Sequence, residues 1–138
     1  MAETVVRVDP YPSQIALDRL WLAAWGEAGY PDFSAILARA LVHVGAFCGN
    51  DLVGFVHVAW DGGIHAFLLD PTVHPDHRRA GIGSRLVIQA SEYACARGAR
   101  WLHVDFEPHL AGFYARCGFR PSAAGIMPLQ TDGRHGGG

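Results

Sequence analysis

The spacing of apolar and polar positions changes period several times along the chain, and each change predicts an element. Residues 4–8 form a β-branched run closed by Asp9-Pro10 and Pro12, which reads as a short strand. Behind Ser13, a good N-cap, Leu17, Leu20, Trp21, Ala24 and Trp25 fall at i, i+3, i+4, i+7 and i+8, the apolar stripe of a helix. Gly26 and Gly29-Tyr30-Pro31 break it, and Asp32 or Ser34 is placed to cap a second, short helix through Ile36 and Leu37. Residues 41–48, 52–60 and 64–73 read as three consecutive strands, with Gly49-Asn50-Asp51 and Asp61-Gly62-Gly63 as the turns of an antiparallel meander. Helical period resumes near Gly83 and runs to Arg97, with Leu86, Val87, Ala90 and Ala94 inward and Gly98 as a natural C′ residue. Residues 101–106 read as a strand, 109–116 as a short helix closed by Gly118, and 119–129 as a last strand broken by Pro121 and Gly125.

The order β-α-α-β-β-β-α-β-α-β predicts an α/β domain of the α+β kind: one mixed, mostly antiparallel sheet flanked by helices. A single helical crossover joins the strand ending at Val73 to the strand starting at Trp101. The length of 138 residues suits one domain, assigned to residues 1–130, with residues 131–138 as a Gly-rich tail expected to be disordered. There are no internal repeats.

Composition narrows the chemistry. Half of the residues are hydrophobic, enough for a core without staples, and the formal net charge of -2 offers no global attraction to nucleic acid. All eleven basic residues are Arg, which removes lysine Schiff-base chemistry and the Walker A phosphate loop. No apolar run approaches the roughly 20 residues of a membrane span, and Met1-Ala2-Glu3-Thr4 lacks the order of a signal peptide, so a cytoplasmic protein without a membrane partner is expected. Cys48, Cys95 and Cys117 are odd in number and widely spaced, and are expected to be buried thiols.

The segment from Val73 to Ser84 joins a strand to a helix and gathers the candidate chemistry. Gly81 and Gly83 loosen the helix start, where the first N–H groups have no internal partner and the macrodipole is positive. A pyrophosphate suits that place, with Arg78 and Arg79 beside it. On these residues alone, a tight turn with solvated arginines fits as well. Leu86 stands where a dinucleotide fingerprint needs its third glycine, which disfavours that reading. His74 and His77 have no third ligand at a suitable spacing, so no metal is expected.

Arg78-x-x-Gly81-x-Gly83, preceded by Val73-x-Pro75, resembles the acetyl-CoA-binding motif of the GNAT family of N-acetyltransferases. Phe113-Tyr114-Ala115-Arg116-Cys117-Gly118-Phe119 resembles that family's second signature, Tyr-x-x-x-Gly-Phe, and the element order agrees along nearly the whole chain. The resemblance implies an acyl-CoA N-acyltransferase-like fold whose middle strands splay apart, with the thioester in the gap. It implies that backbone groups around Val73, His74 and Pro75 hold the pantetheine arm, and that Arg78, Arg79, Ala80, Gly81, Ile82, Gly83 and Ser84 hold the pyrophosphate. Pro71 fits either a strand whose neighbours have separated or a strand that ends before it.

By the same resemblance Tyr114 protonates the departing thiolate, the other reading being a core aromatic beside Phe113. An N–H near Val73 serves as oxyanion donor. Some members of the family carry a glutamate base where this chain has Phe67. His65, on the same strand face, and Glu107 are therefore the candidate bases, with His103 beside them as a polar group of the neighbouring strand. Asp70 faces away unless a bulge intervenes, and His43 and His57 read as structural. The implied activity is acetyl transfer, in a ternary complex, to the primary amine of a small molecule or a peptide. A non-catalytic acyl-CoA-binding module is the alternative. Residues 119–129 would offer an interface strand for a homodimer, which the sequence leaves open.

Overall fold

The computed structural model describes residues 3–130. Five strands form one sheet in the order β1-β2-β3-β4-β5: β1 (Thr4–Val8), β2 (Val42–Cys48), β3 (Asp51–Trp60), β4 (His65–Val73) and β5 (Trp101–His103). The first four are antiparallel neighbours, as the two short turns require. β5 returns through a helical crossover and therefore runs parallel to β4.

Local signals set the helices. Ser13 Oγ accepts the Ala16 N–H at 3.1 Å and starts α1 (Gln14–Trp25), which ends at Gly26 with φ 75°. Asp32 rather than Ser34 caps α2 (Phe33–Arg39), its Oδ1 accepting the Ser34 and Ala35 amides at 3.0 and 3.4 Å. α3 (Ile82–Ala96) begins after Gly81, and Gly98 sits beyond its end with φ 110°. A 3-10 turn at Pro108–Leu110 leads into α4 (Ala111–Arg116).

The helices make two cores on opposite faces of the sheet. Ile82, Leu86, Val87 and Ala90 of α3 pack on Val44, Val56, Val58, Ala66 and Leu68. Leu17, Leu20 and Trp21 of α1 and Phe33 and Leu37 of α2 pack on Leu52 and Phe55. Gly54 lies under α3, where a Cβ would meet Leu86 at 3.0 Å and Ile82 at 3.1 Å.

Four expectations need correction. Residues 119–129 form no strand; the stretch Pro121 to Gly125 has no β-branched or aromatic residue to pack on a sheet, and its proline lacks a ladder donor. The strand read at 101–106 stops at His103, where β5 parts from β4. Cys95 is exposed and Cys48 and Cys117 are half-buried, so the thiols are not uniformly core residues. Trp25 ends the α1 stripe outside the core, 54% exposed, with its Nε1 donating to Thr72 Oγ1 of β4 at 3.3 Å. The tail assigned to residues 131–138 lies outside the described residues.

Candidate active site

β4 and β5 stay together for three residue pairs only, His65↔Trp101, Ala66↔Leu102 and Phe67↔His103. From Leu68 to Val73, β4 has no strand partner on that side among the described residues. Its unpaired backbone groups can receive an extended chain as an added strand. β4 itself runs through Pro71, so the reading that the strand ends before that residue does not hold.

At the end of this open edge, His74 donates its N–H to Val53 O at 2.8 Å, and a 3-10 turn at Pro75–His77 leads to the phosphate-type turn. Arg79 and Gly81 both have positive φ, 70° and 76°. Nothing lies within 4 Å of a Cβ at Gly81, so its glycine answers to conformation rather than space. The first helical bond is Arg85 N–H to Gly81 O at 3.1 Å. Among the described residues, no protein acceptor takes the N–H groups of Arg79, Ala80, Gly81, Ile82, Gly83 or Ser84. These groups at a helix N-terminus fit a diphosphate, whose oxygens supply the missing acceptors. Arg78 leans back on α1, its Nη2 3.5 Å from Ala24 O.

The second motif packs against the first. A Cβ at Gly83 would lie 3.5 Å from the Phe113 ring, an ordinary contact, and Ser84 lies near the Cys117 thiol. Burial pushes that thiol up, partly offset by Ser84 and Arg116. Tyr114 is nearly buried between Phe106, stacked at 4.7 Å, and Phe113 and Phe119, edge-on at 4.9 and 5.7 Å. Its hydroxyl is not sealed from solvent and has no protein hydrogen-bond partner among the described residues. Burial, and after it Cys117 and Asp105, push the phenol above its ordinary value, so it carries its proton at neutral pH.

The two candidate bases make none of these contacts. His65 sits where β4 and β5 are still joined, its Nδ1 2.9 Å from His103 Nε2, and His103 stacks on Phe67 at 4.8 Å. Glu107 is exposed, and its carbonyl, not its carboxylate, receives the Leu110 N–H.

Sequence reasoning left aside a third group that the structure assembles. Phe55 pairs with Thr72 but His57 with Leu69, so Asp70 and Pro71 together oppose the single Val56. This bulge puts Asp70 at φ 54° and turns its side chain from the α3 face to the face covered by α1 and α2. There its Oδ2 lies 2.8 Å from His57 Nε2 and accepts the Tyr30 hydroxyl at 2.8 Å. His57 is therefore a partner of Asp70 rather than a structural residue alone. The signal in the sequence was Asp70-Pro71, a turn-type dipeptide inside a strand-like run.

His74 and His77 meet edge-on at 5.7 Å, and among the described residues no three His, Cys, Asp or Glu side chains gather as a metal site. No helix among them is long and apolar enough to cross a membrane. Two open grooves, of about 480 Å³ between β1 and α3 and about 510 Å³ at the starts of α1 and α2, lie away from the parted strands.

Known proteins resemble this chain in sequence and in fold. A family profile described as the acetyltransferase (GNAT) family matches residues 11–119. An uncharacterized N-acetyltransferase, ycf52, of Pyropia yezoensis is 28% identical over 80 residues, covering 58% of this chain and 46% of the relative. Glucosamine 6-phosphate N-acetyltransferase 1 of Oryza sativa subsp. japonica is 40% identical over 50 residues, covering 36% of this chain and 30% of the relative. Each match thus takes in less than half of the relative's length. The structure of a GNAT family acetyltransferase from Streptococcus pneumoniae TIGR4 superposes with a TM-score of 0.79 at 22% identity, over 94% of this chain and 100% of that one, a likeness of fold.

Proposed function

This chain belongs to the GNAT acetyltransferase family, and from that premise we propose that it transfers the acetyl group of acetyl-CoA to a primary amine of a small molecule. The observation that carries the reading is the joint one: the unclaimed amides of residues 79–84 lie against the helix that bears Tyr114. The acceptor class is supported by the relative that acts on glucosamine 6-phosphate, whose name specifies an amino sugar.

In this reading the amides from Arg79 to Ser84 hold the diphosphate, and the open edge around Val73 orders the pantetheine arm. Acetyl-CoA supplies an activated acyl group, and the chain's own residues orient it and move protons. Tyr114 gives its phenolic proton to the leaving sulfur, for which a protonated, solvent-reachable hydroxyl is the requirement. His65 and Glu107 are the bases that the sequence offers for the amine.

The test is amine-dependent CoA release across a panel of amino sugars, polyamines and peptides. The Tyr114→Phe variant is expected to lose turnover by about a hundredfold, the low end for general acid catalysis, since a thiolate leaves readily. Its acetyl-CoA affinity is expected to stay unchanged by calorimetry. Normal turnover by that variant would remove Tyr114 from the mechanism. Tight acetyl-CoA binding without transfer to any amine would favour a binding module.

A further inference from the structure

Asp70 is a carboxylate that the fold re-aims from one face of the sheet to the other. Alternation along β4 sends Ala66 and Leu68 into the α3 core, and Asp70 would follow them without the bulge. The extra residue reverses the alternation and leaves the backbone in the left-handed region, which is strained for a non-glycine residue. The surroundings fix that geometry. Thr72 donates its hydroxyl to Asp70 O at 2.9 Å, and Trp25 Nε1 in turn donates to Thr72 Oγ1 at 3.3 Å.

The hydrogen bonds on the carboxylate are one-sided. Tyr30 and His57 both meet Oδ2. Among the described residues no protein donor reaches Oδ1, and Oδ1 is not among the buried polar atoms shut off from partners. The Tyr30 phenol is pushed far up by burial and then by Asp70 itself, so it remains a donor across the working pH range. One oxygen is thus held, and the other is left without a protein donor among the described residues, in a side chain that keeps 10% of its surface exposed.

Its position along the strand matters as much. Asp70 is three residues past Phe67, the last residue paired with β5, and three before Val73; at ~3.3 Å per residue it stands near the middle of the open edge. α3 covers the opposite face of the sheet, and Asp70 points to the face of α1 and α2.

We propose that Asp70 receives the acceptor amine: Oδ1 binds the incoming ammonium and takes one of its protons, while His57 and Tyr30 hold the carboxylate through Oδ2. This rests on the acetyltransferase reading and replaces His65 and Glu107 as the base. An N–H bond of the ammonium breaks as an O–H bond forms on Asp70. The freed lone pair makes the C–N bond, the C–S bond breaks, and its electron pair goes to sulfur, which takes the Tyr114 proton. The second proton lost by nitrogen restores the Tyr114 phenol through water, and Asp70 gives its proton to solvent on its open side. Net, one proton ends on sulfur and one in bulk water. Asp70 is the catalytic residue here, and His57 and Tyr30 are positioning residues.

Asn and Gly both accept positive φ, so Asp70→Asn and Asp70→Gly keep the bulge. Asp70→Asn is expected to lower amine-dependent kcat by about 10²- to 10⁴-fold with acetyl-CoA affinity unchanged. Added formate is expected to restore turnover to Asp70→Gly. His57→Gln should lower kcat less and leave acetyl-CoA affinity alone. Parental turnover in Asp70→Asn overturns the assignment. So does a loss that tracks acetyl-CoA affinity, or one that formate leaves untouched in Asp70→Gly. If the parent chain releases no CoA with any amine, the acetyltransferase reading fails, and this inference falls with it; parental turnover in a variant sinks the base alone.

Discussion

His43 is fully enclosed, and neither of its ring nitrogens has a hydrogen-bond partner among the described residues. Asp9 Oδ1 is 3.9 Å from Nε2, beyond hydrogen-bond reach, while Tyr11 meets the ring edge-on at 4.6 Å. Burial lowers the imidazole below its ordinary 6.5; Asp9 opposes this, and His57 and Arg97 add to it. The unfolded chain therefore binds this proton more readily than the folded one. The neutral ring's contribution to stability is complete above about pH 6.5 and is lost as pH falls toward the lowered folded value. Melting temperature is expected to fall between pH 7 and pH 5, and His43→Phe should flatten that slope without loss at pH 7.5. An unchanged slope in the variant would assign the effect elsewhere. The structural role of His43 was legible from its place in a strand. The contact of His57 with Asp70 was not, because that partner arrives only through the pairing of β3 with the bulged β4.

At the scale of elements, α3 reads directly from the sequence because its period spans many residues and both ends carry local signals, Gly81 and Gly98. The bulge in β4 does not, because it is a difference between two strands, and only Asp70-Pro71 hinted at it. What the sequence shows least is how closely α3 is pressed on the sheet. At Gly54 a Cβ would come within 3.0 Å of Leu86 Cδ1, 3.1 Å of Ile82 Cγ2 and 3.2 Å of Ala46 Cβ. Ile82 and Leu86 belong to the first turns of the helix whose leading amides have no protein acceptor among the described residues and are proposed to hold the diphosphate. A valine at 54 must push that end outward, and overpacking of this sort costs about 1–3 kcal/mol. Gly54→Val is expected to lower the melting temperature and to weaken acetyl-CoA binding together. A variant destabilised but binding normally would show that the helix end keeps its place when the sheet beneath it swells.

For the whole molecule, the two motifs were legible because each is a short string with its own local geometry, and the crossover rule brings their elements to one side. The strand expected over 119–129, broken by Pro121 and Gly125, failed because a strand needs an edge and side chains that pack on one. Phe119 does pack, against Tyr114 at 5.7 Å, but Ile126, Met127 and Leu129 are 83%, 79% and 89% exposed. Side chains left in water gain nothing from the hydrophobic effect on folding, so residues 121–130 add nothing to the fold in this arrangement. A chain ending at Arg120 is accordingly expected to melt at the same temperature as the full chain and to bind acetyl-CoA as tightly, by thermal unfolding and calorimetry. A lower melting temperature would mean that these apolar residues find a surface in solution. A concentration dependence of that loss would identify the surface as a second copy of the chain, because only an association between copies makes stability depend on how many are present.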